Sequence, residues 1–94
     1  MNTAQLAEAF ITGKQGSAHN AKIATLITGA DEYLLHGYPI AKVVEDGIKF
    51  NWHGWYTQTI ARHMNAILKA AKSDVRVSAS AAKAAGQRDF HIKL

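Results

Sequence analysis

Between His36 and Lys72 the sequence switches its hydrophobic period from two to about three and a half, and that switch constrains the fold more than any other feature. Ile48, Phe50 and Trp52 alternate with Lys49, Asn51 and His53. Successive side chains of a strand point to opposite faces, so this run is a strand with one apolar side. Tyr38 to Val44 is the preceding arm, with Ile40 and Val43 or Val44 as apolar contacts and Lys42 exposed. Glu45-Asp46-Gly47 between the arms reads as a hairpin turn, in which Asp and Gly tolerate positive φ. His53-Gly54-Trp55-Tyr56 reads as a corner, where Gly54 frees the backbone and the aromatics close the sheet onto the next element. Thr57 then opens a helix, its hydroxyl placed to accept from a free N–H one turn on. Ile60, Met64, Ile67, Leu68 and Ala71 form its apolar stripe, and Ser73-Asp74 ends it.

The flanks supply support. MNTAQLAEAFITG reads as a short helix capped by Asn2 or Thr3 and stopped at Gly13, with Leu6 and Phe10 on its apolar side. Lys14 to Asn20 is polar and is expected to be a loop, solvated or, with Lys14, His19 and Lys22 close together, in contact with a phosphate. Ile23 to Thr28 is β-branched and reads as a strand. After a turn at Gly29-Ala30-Asp31, Glu32 to Gly37 is a second short strand, any helix there being limited by Gly37 and Pro39. Val75 to Ser80 alternates like a strand, and Ser80 to Gly86 is a helical turn or a loop. Arg88 to Leu94 either adds a last strand through Phe90, Ile92 and Leu94 or frays. The expected fold class is α+β. A small antiparallel sheet packs against one main amphipathic helix plus a short N-terminal helix, in a single domain over residues 1–94.

Composition narrows the chemistry. The 94 residues include no cysteine, which removes disulfides, thiolate zinc sites and a cysteine nucleophile together. The five histidines show neither HxH nor HxxxH spacing. The seven carboxylates fall largely in turns, and no nucleophile elbow is present. The expectation is therefore a protein with no catalytic residues, no metal ligands and no cofactor. Glu8 interrupts the first helix and no apolar run approaches the ~20 residues of a membrane span, so a soluble cytoplasmic protein without membrane contact is expected. Its oligomeric state has no signature in the sequence. The net charge of +4 suits a nucleic acid or an acidic protein face.

One cluster stands out. Tyr56, Thr57, Thr59, Arg62 and His63 lie in and beside the first turns of the expected helix, whose free N–H groups and dipole favour anions. Arg62 adds a planar fork suited to phosphate or carboxylate. Thr59 and His63, four residues apart, share a side. Lys42 and Lys49 on the hairpin extend the positive charge. The candidate partner-binding set is thus Arg62, His63, Thr59, Tyr56, Lys42 and Lys49, and its alternative is capping plus a solvated face. Trp52, Trp55 and Tyr56 are either core or a platform for stacked bases.

The series Asn20, Leu34, Gly37, Pro39-Ile40-Ala41, Gly47, Asn51, Tyr56-Thr57, Thr59 and Arg62-His63 resembles a layout of small accessory proteins of phages and other mobile elements, anti-CRISPR proteins among them. The resemblance spans about residues 20–68 and departs from the layout at Thr59-Ile60, where paired hydroxyls would stand. It implies a cofactor-free, non-enzymatic protein that inhibits a host defence machine, such as a CRISPR effector, by stoichiometric binding to a host protein or nucleoprotein complex. The alternative is a small basic nucleic-acid-binding or regulatory module.

Overall fold

The hairpin and the helix after it are the centre of the architecture. The computed structural model describes residues 1–94 as an α+β fold in the order α1 (Thr3–Ile11), β1 (Ser17–Ala18), β2 (Ala21–Thr25), β3 (Asp31–Leu35), β4 (Tyr38–Val44), β5 (Gly47–Asn51), α2 (Gln58–Ala70), α3 (Ala79–Ala85) and β6 (Asp89–Lys93). The six strands form one antiparallel sheet in sequence order, β1 to β6. The helices lie on one side of it, α1 against α2 and the first three strands, α2 against β4. None is long and apolar enough to cross a membrane.

Local chemistry explains the elements. Asn2 caps α1 by accepting from Gln5 N, while the Gln5 side chain accepts from Asn2 N, a reciprocal capping box. Thr57 caps α2 through Ile60 N at 3.2 Å. The expected stripe is buried at Ile60, Met64, Ile67 and Leu68, joined by Ala61 and His63. Inward-facing Ile48, Phe50 and Trp52 belong with that stripe to one buried cluster, and Phe50 stacks on Phe90 of β6 with ring centroids 5.0 Å apart. Tyr33 and Phe10 meet edge to face at 5.6 Å, joining β3 to α1. The fully buried Trp52 leaves its indole N–H without an acceptor, which costs about 1–3 kcal/mol against the large apolar area the ring buries.

Four expectations require correction. The Lys14–Asn20 segment is not all loop, because Ser17 and Ala18 pair with Lys22 and Ala21 as the short edge strand β1. The first long strand ends at Thr25, and Leu26 turns the chain instead: its N–H bonds to Ala30 O and its carbonyl accepts from Gly29 N. Val75–Ser80 is not a strand. The Asn65 amide bonds both backbone groups of Val77, accepting from its N–H at 2.7 Å and donating to its carbonyl at 3.0 Å. A side chain of α2 thereby takes the place of a neighbouring strand, and Ser78 caps α3 directly afterwards through Ala81 N. Finally, Gly47 does not supply positive φ to its turn. It belongs to β5, and a Cβ there would collide with the backbone carbonyl of Ile92, so glycine is needed for the approach of β6.

Candidate functional site

Three segments distant in sequence converge at one end of the sheet. His19 and Asn20 form the two-residue link between β1 and β2, and His36 and Gly37 form the link between β3 and β4. His36 N donates to Asn20 O at 2.7 Å, which ties the two hairpin tips together. His36 and Gly37 have φ of 51° and 82°, the paired left-handed conformation that matches the twist of a tight two-residue hairpin. The third segment is the start of α2, with Thr59, Arg62 and His63.

These segments, closed over by Asn2 and its neighbours, surround a cavity of about 270 Å³. The charged and titratable side chains of its lining are Arg62, His19, His36 and His63, and no carboxylate takes part. A second cavity, about 350 Å³, adjoins it and is mainly apolar. Leu35, His36 and Thr59 line both, so the two are neighbouring compartments on either side of a shared wall. The second compartment is walled by Tyr38 and Trp55, whose rings meet edge to face at 4.5 Å and are 48% and 45% exposed.

His63 is the buried member of the polar compartment, only 7% exposed. Its Nδ1 is 2.7 Å from the Tyr33 hydroxyl. Burial pushes the Tyr33 phenol up to about 12, so the hydroxyl keeps its proton throughout the neutral range. Burial first, then the charges of Arg62 and His36, hold the His63 imidazole below its ordinary value. A neutral imidazole that accepts at Nδ1 carries its proton on Nε2. Nε2 makes no hydrogen bond within the protein, and the ring lines the cavity. The residues that line the compartment can thus supply donors: the Arg62 guanidinium, the His63 Nε2–H, the Asn20 amide and the Thr59 hydroxyl.

The six residues singled out from the sequence separate into three groups. Arg62, His63 and Thr59 come together in the polar compartment. Tyr56 turns away: its hydroxyl donates to Gln87 O at 2.7 Å and its ring packs on Trp52. Lys42 and Lys49 are cross-strand partners on the helix-free side of the sheet, because their neighbours Ala41, Ile48 and Phe50 point to the core. They share a shallow depression there with Glu32, Asn51 and Asp89. The tryptophans divide as well, Trp52 into the core and Trp55 into the cleft.

Sequence reasoning missed His19, Asn20 and His36 as neighbours of Arg62, and Tyr38 as a neighbour of Thr59. A signal was present for one pair: His36-Gly37 between two strand-like runs is the residue pattern of a tight hairpin tip. Nothing in the sequence aligns that tip with the His19-Asn20 tip, since their proximity follows from strand order alone. No three His, Asp or Glu side chains converge in a metal-binding group. No family model, curated protein or solved structure matches the chain.

Proposed function

We propose that this protein is a non-enzymatic binding module that acts by occupying a surface of a macromolecular partner, with the two-compartment cleft as its contact site. The observation that carries this reading is the junction at Leu35, His36 and Thr59, where a carboxylate-free polar compartment adjoins an exposed aromatic pair. Exposed Trp, Tyr and Arg side chains in a concave patch are the residue types that dominate binding energy at interfaces. A net charge of +4 favours encounter with an acidic or nucleoprotein partner. Lys42 and Lys49 give the opposite side of the sheet a second, weaker positive surface.

The resemblance to phage and mobile-element accessory proteins supports a specific form of this reading. The protein then inhibits a host defence machine in the cytoplasm of the host cell, with a CRISPR effector as the sharpest case. Plaque assays in a host carrying active CRISPR immunity, with the protein expressed from a plasmid, test that form. The expected result is restored plaquing and co-purification with the effector, both lost when Arg62→Glu and Trp55→Ala are combined. Absence of protection and co-purification with the wild-type protein defeats the inhibitor form. Protection that survives the double substitution defeats the assignment of the cleft.

A further inference from the structure

The donors of the polar compartment and the aromatic pair beside it match the two halves of one nucleotide. Arg62, Asn20, Thr59 and His63 line a cavity without a competing carboxylate, the surroundings that hold an anion. His63 gives the strongest pointer. The ring is only 7% exposed and is held at Nδ1 by Tyr33, while Nε2 makes no bond within the protein and stays open to the solvent or to a ligand oxygen on the cavity side. Its other nitrogen is fixed by Tyr33, so the ring cannot rotate to find an acceptor elsewhere without breaking a 2.7 Å bond. An anionic oxygen in the cavity satisfies Nε2 and offsets the positive charge of Arg62 together.

The second compartment supplies what a free inorganic anion does not need. Trp55 and Tyr38 stay about half exposed although they touch each other and His53. Base stacking on such rings contributes ~1–3 kcal/mol per base and tolerates any sequence. Each compartment lies near the lower end of the ~300–1,000 Å³ typical of small-ligand sites. A duplex keeps its bases stacked inward, whereas a single strand can turn one out onto an aromatic wall.

We propose, building on the reading that the cleft is the contact site, that it holds one nucleotide unit of a single-stranded nucleic acid. The phosphate sits among Arg62, Asn20, Thr59 and His63 Nε2, and the base lies against Trp55 and Tyr38. DNA and RNA share this chemistry.

Fluorescein-labelled dT8 and rU8, a duplex of equal length and a phosphoserine peptide of matched charge are titrated against the protein by anisotropy. Saturable binding of dT8, rU8 or both, with the duplex at least tenfold weaker, is the expected result. Arg62→Gln weakens that binding roughly ten- to hundredfold and lowers the log–log salt slope by about 0.7. Trp55→Ala weakens it by a similar factor. Both positions are exposed, and unchanged thermal melts verify that the variants are folded. In the wild-type protein, unlabelled dT8 quenches the emission of Trp55 and shifts the His63 ring resonances, and Trp55→Phe removes the quenching because buried Trp52 is the only other indole.

The proposal is overturned if neither oligonucleotide binds, if binding ignores both substitutions, or if the phosphoserine peptide binds at the cleft and the oligonucleotides do not. Should the oligonucleotides fail while the Arg62 and Trp55 substitutions still abolish capture of the defence effector, the nucleotide assignment falls and the cleft remains the contact site.

Discussion

Tyr33 on β3 and His63 on α2 form the one hydrogen bond between two buried side chains, hydroxyl to Nδ1 at 2.7 Å. The bond joins sheet to helix and selects the imidazole tautomer that faces the cleft. Tyr33→Phe keeps the ring and its edge contact with Phe10 but leaves Nδ1 buried without a donor. A loss of about 1–3 kcal/mol is expected, read from urea unfolding midpoints with an unchanged denaturant slope. An unchanged midpoint would show that the bond contributes nothing to the fold.

The same pair sets two pH limits on stability. In the unfolded chain a histidine takes up its proton near 6.5, whereas folded His63 does so only at lower pH. The unfolded state therefore binds more protons below pH 6.5, and stability falls as pH drops through that window, being complete above it. Arg62 and His36, the charged groups facing His63, oppose its protonation in the folded state. Tyr33 works in the other direction. Its phenol is pushed from 10.0 up to about 12, so the unfolded chain loses that proton first and stability falls as pH rises through 10 to 12. Over the whole window the loss is roughly 3 kcal/mol. Unfolding free energies measured from pH 5 to 11 should show a plateau between two declining limbs, and Tyr33→Phe should flatten the alkaline limb.

Gly47→Ala should be among the most damaging small substitutions in the chain. The added methyl would collide with Ile92 O and press on Lys93 Cα at 3.0 Å, all backbone that moves only if β6 moves. The expected result is partial detachment of β6, visible as lost amide-exchange protection at Asp89–Lys93 and a melting temperature lower by several degrees. A protein that keeps its β6 protection after this change would contradict the close approach of the two strands at Gly47.

Asn65→Asp tests the side chain that stands in for a strand. The substitution keeps the acceptor for Val77 N but replaces the donor to Val77 O by a second oxygen. Destabilisation of about 1–2 kcal/mol is expected, with selective loss of exchange protection at Val77. Asn65→Gln, which keeps both groups on a longer stem, should restore only part of that protection.

Trp55→Ala and Arg62→Gln should leave stability within about 0.5 kcal/mol of wild type, as exposed positions generally do. Trp52→Ala, by contrast, empties the centre of the core and should cost about 3–5 kcal/mol. Parallel thermal melts of the three variants separate the tryptophan that holds the fold from the one that faces the cleft.

The elements legible in the sequence are those whose chemistry is local. The Tyr38–Val44 arm, the Ile48–Asn51 part of the second arm, the Thr57 cap and the Ile60–Leu68 stripe each carry their own period or cap, and the structure has them where that period puts them, although the second strand starts one residue earlier at Gly47 and stops short of His53. Ser17-Ala18 is too short to show a period, and it becomes a strand only because Ala21-Lys22 lies beside it. Val75–Ser78 alternates like a strand, but Asn65 occupies the backbone groups of Val77 that a neighbouring strand would use. The site divides along the same line. Thr59, Arg62 and His63 follow from helical spacing, whereas His19, Asn20, His36 and Tyr38 reach them through strand order. The burial of His63 also depends on Tyr33, thirty positions away along the chain.

The order of the sheet has a consequence in time. Strands β1 to β5 are joined by links of two to five residues, so their pairing needs only short, quickly closed loops. Strand β6 meets β5 only after two helices and roughly 40 residues have intervened, a closure that carries a larger entropy cost. The meander and α2 can therefore condense first, and the last strand docks onto an edge that is already formed. The bare backbone at Gly47 is then a landing gap: it keeps the β5 edge open for a strand that arrives late, and its closure would slow the final step of folding more than any step before it.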